Sequence, residues 1–159
     1  MCRRSSPGPS SLDWLRDAVN NPVEMDANRD ANGFVVLDRE ACLARLALRR
    51  VAALAITEGA LPLVLPALYV LSGEDMLVGA ARSGILGRRL PNSVISLCVH
   101  NVDEDLLSGW TVTTTGWAEP VSSPAELSGA HALRQWTSDP ASQVVVRVST
   151  KHISGRQIL

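Results

Sequence analysis

The fold is decided by one stretch of the sequence, VAALAITEGALPLVLPALYVL, which occupies residues 51–71. Val51 to Thr57 is short, apolar and followed by Glu58-Gly59, a pair typical of a hairpin turn. Leu61 to Leu71 then returns as a long second strand. Proline cannot donate a hydrogen bond to a sheet, so Pro62 and Pro66 predict a free edge or a bulge in this strand. The stretch therefore predicts an antiparallel sheet built from hairpins.

The rest of the chain alternates further strands with short helices. Asp38 is a good helix N-cap, and Glu40 suits the first turn of the helix that follows it. Further helices are predicted at residues 85–90 and 124–136, and further strands at residues 76–80, 93–102, 110–121 and 143–149, the last continuing towards residue 158. Six strands joined mainly by tight turns predict a mainly β fold with flanking helices, in which an antiparallel sheet closes into a barrel.

The first 35 residues differ in composition from the rest. The segment SSPGPSS, residues 5–11, is typical of a loop, and Asn32-Gly33 is a turn signal. We therefore expect a flexible N-terminal arm over residues 1–35 and one folded domain over residues 36–159. Trp14 lies within the arm, where it is equally consistent with a plug against the domain or a partner subunit and with an exposed aromatic side chain.

Composition excludes several classes of protein. The formal net charge of −1 argues against a nucleic-acid binder, which usually has a basic excess. The three cysteines, Cys2, Cys42 and Cys98, are far apart, so they predict neither a disulfide framework nor a zinc site and fit a reducing cytoplasm. No apolar run reaches the roughly 18 residues that a membrane span needs. We expect a cytoplasmic protein that does not bind membranes.

No self-sufficient catalytic set of side chains is visible. The histidines His100, His131 and His152 are not spaced as a metal pair, and no metal site is expected. The stretch from Ala80 to Arg89 is more informative, because a strand ends there, a turn of small residues follows and a helix begins. Exposed amides at such a helix start, with a serine hydroxyl and three arginines nearby, favour an anion. The alternative interpretation is a capped helix with its arginines in water.

The end of the first predicted helix is also basic. Arg45, Arg49 and Arg50 crowd its last turn, where cations suit the helix dipole. A phosphate site is conceivable there, but a solvated helix end is the preferred interpretation.

Several segments, taken in order, resemble the pyridoxamine 5′-phosphate oxidase-like family of flavin-binding split barrels. These segments are LDRE at 37–40, ALAITEG at 53–59, LPLVLPALYVL at 61–71, the turn around Ser83, SGWTV at 108–112, GWAE at 116–119 and ISGR at 153–156. The resemblance implies a six-stranded antiparallel split β-barrel that forms a homodimer, with FMN in a groove between the subunits. Some members of the family bind an 8-hydroxy-5-deazaflavin instead.

The resemblance also carries site residues onto this chain. It places Pro66 and Tyr69 near the flavin ring, Ser83 with Arg82, Arg88 or Arg89 at the phosphate, and Trp110 in the wall of the groove. At other site positions the chain departs from its relatives, which usually have a basic residue at position 65, polar residues at 68 and 79, a lysine at 84 and a tryptophan at 145. Here these positions hold Leu65, Leu68, Gly79, Gly84 and Val145.

These observations lead to one favoured function and two alternatives. The favoured function is a flavin- or deazaflavin-dependent oxidoreductase that transfers a hydride to or from a small conjugated substrate, with the cofactor supplying the chemistry. The departures motivate the first alternative, a cofactor-poor dimeric barrel that binds another small molecule or serves in stress and has lost redox activity. The second alternative is a structural or protein-interaction domain that uses the Trp14 arm.

Overall fold

The structure is a computed structural model that describes residues 28–105, 107–130, 133 and 142–158. These residues form eight strands and three helices: β1 (Val35–Leu37), α1 (Arg39–Ala47), β2 (Val51–Glu58), β3 (Leu61–Ser72), β4 (Asp75–Ala81), α2 (Ile85–Arg89), β5 (Ser93–Asp103), β6 (Ser108–Pro120), α3 (Pro124–Gly129), β7 (Gln143–Val148) and β8 (His152–Ile158). Helix α1 begins where the sequence predicts, because the Asp38 side chain accepts a hydrogen bond from the amide of Ala41 at 2.7 Å.

The six predicted strands form a closed ring. The sheet order is β1-β8-β6-β5-β2-β3-β4-β7, and a second pairing between β6 and β7 closes it. All pairs are antiparallel. The predicted mainly β class and antiparallel split barrel are therefore confirmed. The whole sheet has eight strands rather than six, because β1 and β8 extend it beyond the ring.

The split lies on strand β6, which has two neighbours on one edge. Its first part, from Gly109 to Thr115, pairs with β8, and its last part, from Ala118 to Pro120, pairs with β7. Between the two parts, a Cβ atom at Gly116 would lie 3.1 Å from the Ser149 carbonyl oxygen. Glycine therefore allows the chain to pass close to β6 as it leaves β7 and enters β8. The sequence predicts one strand that starts at residue 143 and continues towards residue 158, where the structure has β7 and β8 joined by a turn.

The core fills the interior of the ring. Its largest fully buried side chains include Leu54, Tyr69, Met76, Ile95 and Leu97. A smaller apolar cluster lies outside the ring against β4 and β7, and it contains Leu77, Ala130, Leu133 and Val145. Burying apolar side chains stabilises the fold by about 25 cal/mol for each Å² removed from water.

Residues 28–34, which the sequence assigns to the arm, are attached to the sheet. Arg29 forms a β-bridge with Val35, and the Arg156 Nε atom donates to the Asp30 carboxylate at 2.7 Å. Trp14 and the rest of residues 1–27 lie outside the described residues, as do most of residues 130–136, where the sequence extends the last helix. Among the described residues, no helix is long and apolar enough to cross a membrane.

Candidate functional site

The prolines of β3 mark the place where the sheet opens. Strand β3 pairs with β2 along Leu61 to Leu68, but its pairing with β4 runs only from Leu68 to Ser72. In the described structure, the first half of β3, which contains Pro62 and Pro66, therefore has one strand neighbour instead of two. The free edge that the prolines predict is confirmed. Because a proline has no amide to donate, an unpaired edge suits this part of β3.

A cleft lies where β4 separates from β3. Past Gly79, strand β4 continues along β7 through Ala80 and Ala81 and leads into the turn before α2. The cleft has a volume of about 340 Å³. Its walls are apolar or glycine throughout: Leu65, Pro66, Ala67, Leu68, Gly79, Ala80, Ala81, Gly84, Ile85 and Leu86.

The turn that borders this cleft is held tightly against the end of β4. The Gly84 amide donates to the Ala81 carbonyl at 3.0 Å, and the Arg82 amide donates to the Ser142 carbonyl at 2.7 Å. A Cβ atom at Gly87 would lie only 2.1 Å from the Ala81 oxygen. Helix α2 can therefore pack this closely only with glycine at position 87. This packing fixes Arg82 and Ser83, which are exposed at the edge of the cleft.

The structure distinguishes the three arginines that the sequence places at an anion site. Arg89 forms an ion pair with Glu58, with 2.9 Å between Nη2 and Oε1. Arg88 donates from Nη1 to the Ser83 carbonyl at 2.5 Å. The guanidinium of Arg82 has no hydrogen-bond or ion-pair partner among the described residues. Arg82 is therefore the arginine of this turn that is most available to a ligand, and Arg88 shapes the turn itself.

Two other predicted site residues lie in the core and not on the cleft. Side chains alternate along β3, so Tyr69 points into the ring, where it is 1% exposed and donates from its hydroxyl to the Leu46 carbonyl at 2.7 Å. Burial raises the pKa of Tyr69. Trp110 is 6% exposed and belongs to the same interior cluster. Neither side chain lines the cleft. Their expected places beside a flavin ring and in the wall of a groove between subunits stay predictions.

Gln143 is a residue near the cleft that sequence reasoning missed. A Cβ atom at Gly79 would lie 2.5 Å from the Gln143 Nε2 atom. The Gln143 amide thus occupies the space that a side chain at position 79 would take, and it donates to the Leu133 carbonyl at 3.0 Å. The glycine that replaces a polar residue is therefore matched by a polar side chain from the neighbouring strand. Gln143 and Gly79 are 64 residues apart in the sequence, and the pairing of β4 with β7, in which Gln143 lies opposite Ala81, brings them together.

The solvated helix end that the sequence favours is confirmed for Arg49 and Arg50, which are exposed, but not for Arg45, which is buried. Arg45 is 6% exposed, and its Nη2 atom donates to the Gln157 side chain at 2.7 Å. Burial lowers the pKa of Arg45. Arg49 and Arg50 are exposed and line a second cavity, of about 770 Å³, which also contains Leu65 and Pro66 in its wall. The two cavities therefore meet at β3.

The outer surface of strands β2, β3, β5 and β6 is a continuous uncharged face. Pairing places Val64 beside Ala55, Ala55 beside Ser96, and Ser96 beside Thr115. Large apolar side chains stand exposed on this face: Val64 at 66%, Val94 at 62% and Trp117 at 55%. A broad uncharged sheet face of this kind is typical of an interaction surface.

Comparisons with known proteins agree with this architecture. The chain resembles an FAD-binding protein from Mycobacterium smegmatis with 22% identity and a TM-score of 0.63, over 77% of this chain and 96% of that one. It resembles an FAD-binding protein from Mesorhizobium loti with 20% identity and a TM-score of 0.63, over 80% and 99% of the two chains. An FAD and heme binding protein from Mycobacterium smegmatis is similar with 14% identity and a TM-score of 0.64, over 76% and 71%.

The family follows from the sequence match. No curated protein matches the chain. The family model described as pyridoxamine 5′-phosphate oxidase matches residues 38–157, a range that runs from the cap of α1 almost to the end of β8. The chain therefore belongs to the pyridoxamine 5′-phosphate oxidase family.

Proposed function

We propose that the protein binds a flavin nucleotide in the cleft between β3 and the β4–α2 turn and acts as a flavin-dependent oxidoreductase. The observation that carries the proposal is an apolar cleft bordered by the exposed Ser83 and by the guanidinium of Arg82, for which the described part of the chain holds no partner. Two similar structures are of FAD-binding proteins, which supports a flavin as the ligand class. The sequence resemblance favours FMN, and a deazaflavin is the other candidate.

The residues present fit such a ligand. Apolar walls that include Pro66 and Leu68 suit an aromatic ring system, which gains from leaving water. Arg82 and Ser83 supply a cation and a hydroxyl for a phosphate, and arginine can replace the lysine that relatives have in this turn. A bound flavin would supply hydride transfer, while this chain would bind it, orient it and exclude water from one side of it.

Titration with matched ligands tests the proposal. Saturable binding of FMN, FAD or a deazaflavin, followed by fluorescence, is expected, and riboflavin serves as the ligand that lacks the phosphate. We expect Arg82→Ala to weaken FMN binding about fivefold to tenfold, because an exposed charged hydrogen bond to phosphate contributes on the order of 1 kcal/mol, and to leave riboflavin binding unchanged. Lys151→Ala, in the turn between β7 and β8, removes one positive charge elsewhere and should change neither affinity.

The same titration separates the two functional candidates. The lack of saturable binding to all three cofactors would refute the flavin proposal and favour a cofactor-poor barrel, in which the apolar cleft with Leu65 and Leu68 holds another small molecule. Equal FMN affinity in Arg82→Ala and in the unaltered protein would instead remove Arg82 from the phosphate site.

We further propose that the protein is a homodimer joined through the uncharged outer face. Support comes from the exposed Val64, Val94 and Trp117 on that face. Val94→Lys is expected to convert the dimer to a monomer in sedimentation equilibrium, because a lysine would be buried without a partner. Leu107→Lys is the control, since Leu107 is 71% exposed in the β5–β6 turn outside this face. A monomeric unaltered protein would contradict the proposal.

A further inference from the structure

A third cavity lies at the far end of β3, beyond the proposed flavin cleft. It is enclosed by the end of α1 at Leu46 and Ala47, by β3 from Tyr69 to Leu71, and by the end of α3 at Gly129. Its lining includes no residue of β5 or β6 and none from the first half of β3. The cavity is therefore separate from the cleft and from the exposed side chains that are proposed to join two copies of the chain.

The volume of the third cavity limits the size of its ligand. It measures about 280 Å³, whereas sites for drug-sized molecules have roughly 300–1,000 Å³. A flavin nucleotide, with three fused rings, a sugar chain and a phosphate, is too large to enter it. The cavity therefore suits a small molecule that is not the cofactor.

Hydrogen bonds hold the walls of this cavity in place. The Tyr69 hydroxyl donates to the Leu46 carbonyl at 2.7 Å, and the Tyr69 amide donates to the Arg50 carbonyl at 2.9 Å. These two bonds tie the end of α1 and the residues after it to β3. Val70 and Leu71 are half-buried and supply an apolar wall beside them. A wall that is already ordered costs little further entropy when a ligand binds.

The cations of the third cavity outweigh the negative end of α1. Arg49 and Arg50 line it, and no acidic residue is among the described residues around it. The carbonyl end of a helix carries about half a negative charge, against two full positive charges here. Arg49 donates from Nη2 to the Asn101 side-chain oxygen, whereas the exposed Arg50 guanidinium has no hydrogen-bond or ion-pair partner among the described residues. The charge of Arg50 is therefore available to a ligand.

We propose that the third cavity binds a small organic monocarboxylate, with a short aliphatic or single-ring aromatic body, as a ligand distinct from the cofactor. The body would pack on Val70 and Leu71, and the carboxylate would accept from Arg50, whose guanidinium matches the two carboxylate oxygens. One free guanidinium neutralises one negative charge, so a monocarboxylate suits the site better than a doubly charged phosphate. This site goes beyond the proposed function and needs no flavin, because none of its residues lines the cleft.

Benzoate and benzamide are matched probes for this site, because they share a benzene ring and differ in the negative charge. We expect benzoate to bind the full chain saturably without flavin in a ligand-observed NMR titration, with a dissociation constant on the order of 1 mM. Arg50→Ala should weaken benzoate binding about fivefold and leave any benzamide binding unchanged. Arg50→Lys retains the charge and should restore part of the lost affinity. Lys151→Ala controls for loss of one positive charge elsewhere.

Blocking variants assign the probe to one cavity. Gly129→Leu and Ala47→Leu narrow the third cavity from two different helices, and neither position lines the cavity of about 770 Å³. Leucine suits a helix at both positions, so both variants should stay folded in urea titrations and lose benzoate binding. Val102→Phe narrows the larger cavity instead and should leave benzoate binding unchanged.

Four results would overturn the inference. They are the absence of saturable benzoate binding, equal benzoate affinity in Arg50→Ala and the unaltered protein, binding that survives both leucine variants, and binding that is lost in Val102→Phe. The last result would place the anion in the larger cavity. If no flavin binds but benzoate still requires Arg50 and is blocked by the leucine variants, this site is supported and the flavin proposal alone fails.

Discussion

Replacing Gly87 by alanine tests whether the tight packing of α2 on β4 positions the candidate phosphate site. The new Cβ atom would lie 2.1 Å from the Ala81 oxygen and 2.6 Å from the Arg82 Cα atom, whereas ordinary contacts begin at 3.4 Å. Both atoms belong to the backbone, so no side chain can rotate away to make room. Helix α2 must move by about 1 Å, and overpacking of this size costs about 1–3 kcal/mol.

This displacement has two measurable consequences. The urea midpoint of unfolding should fall, since 1–3 kcal/mol is a sizeable part of the roughly 5–15 kcal/mol that stabilises a typical domain. FMN affinity should fall about tenfold, because Arg82 lies in the turn that has to shift. Gly129→Ala is the matched control: nothing lies within 4 Å of its added Cβ atom, and alanine favours a helix by up to about 1 kcal/mol. If Gly87→Ala retains both the stability and the FMN affinity of this control, the packing of α2 on β4 does not position Arg82.

Two further predictions concern the core and the ion pair near β1. Tyr69→Phe should lower the free energy of unfolding by about 1 kcal/mol, because the buried Leu46 carbonyl loses its donor at 2.7 Å and keeps only the Arg49 amide at 3.4 Å. It should not change flavin affinity, and loss of affinity at unchanged stability would contradict the inward placement of Tyr69. The bond from Arg156, with backbone amides, holds the pKa of Asp30 below 3.8, so this pair stabilises the fold above that pH and its contribution is lost as the pH falls through the folded-state pKa. Arg156→Gln should raise the Asp30 midpoint in a carboxyl NMR titration, and an unchanged midpoint would exclude Arg156 as the cause.

The features that could be predicted from the sequence are those with a local chemical cause. The side chain of Asp38 caps a helix wherever the next amides are free, and a proline lacks its donor in any sheet. The helix start and the free edge at Pro62 and Pro66 were therefore predictable. The turn of small residues that the sequence predicts before α2 is also present, and Arg82 and Ser83 are exposed in it.

The remaining features depend on which way a strand faces and on what pairs with it. The stretch from Leu61 to Leu71 is apolar almost throughout, so its sequence has no alternation to show that Tyr69 faces inward. Arg49 and Asn101 meet although they are 52 residues apart, and only the pairing of β2 with β5 brings their segments together. The turn at Thr150-Lys151 contains neither glycine nor proline, which is why β7 and β8 were predicted as one strand.

The closure of the ring has a consequence for the synthesis of the chain. Strand β7, at residues 143–148, supplies the last two pairings of the ring, with β4 and with β6. A growing chain that has passed Ala81 must therefore add more than 60 residues before the free edge of β4 is covered. At typical rates of roughly 5–20 residues per second, that edge stays open for several seconds on the ribosome. We expect this interval to be the stage of biogenesis at which the nascent chain is most prone to pair with other strands.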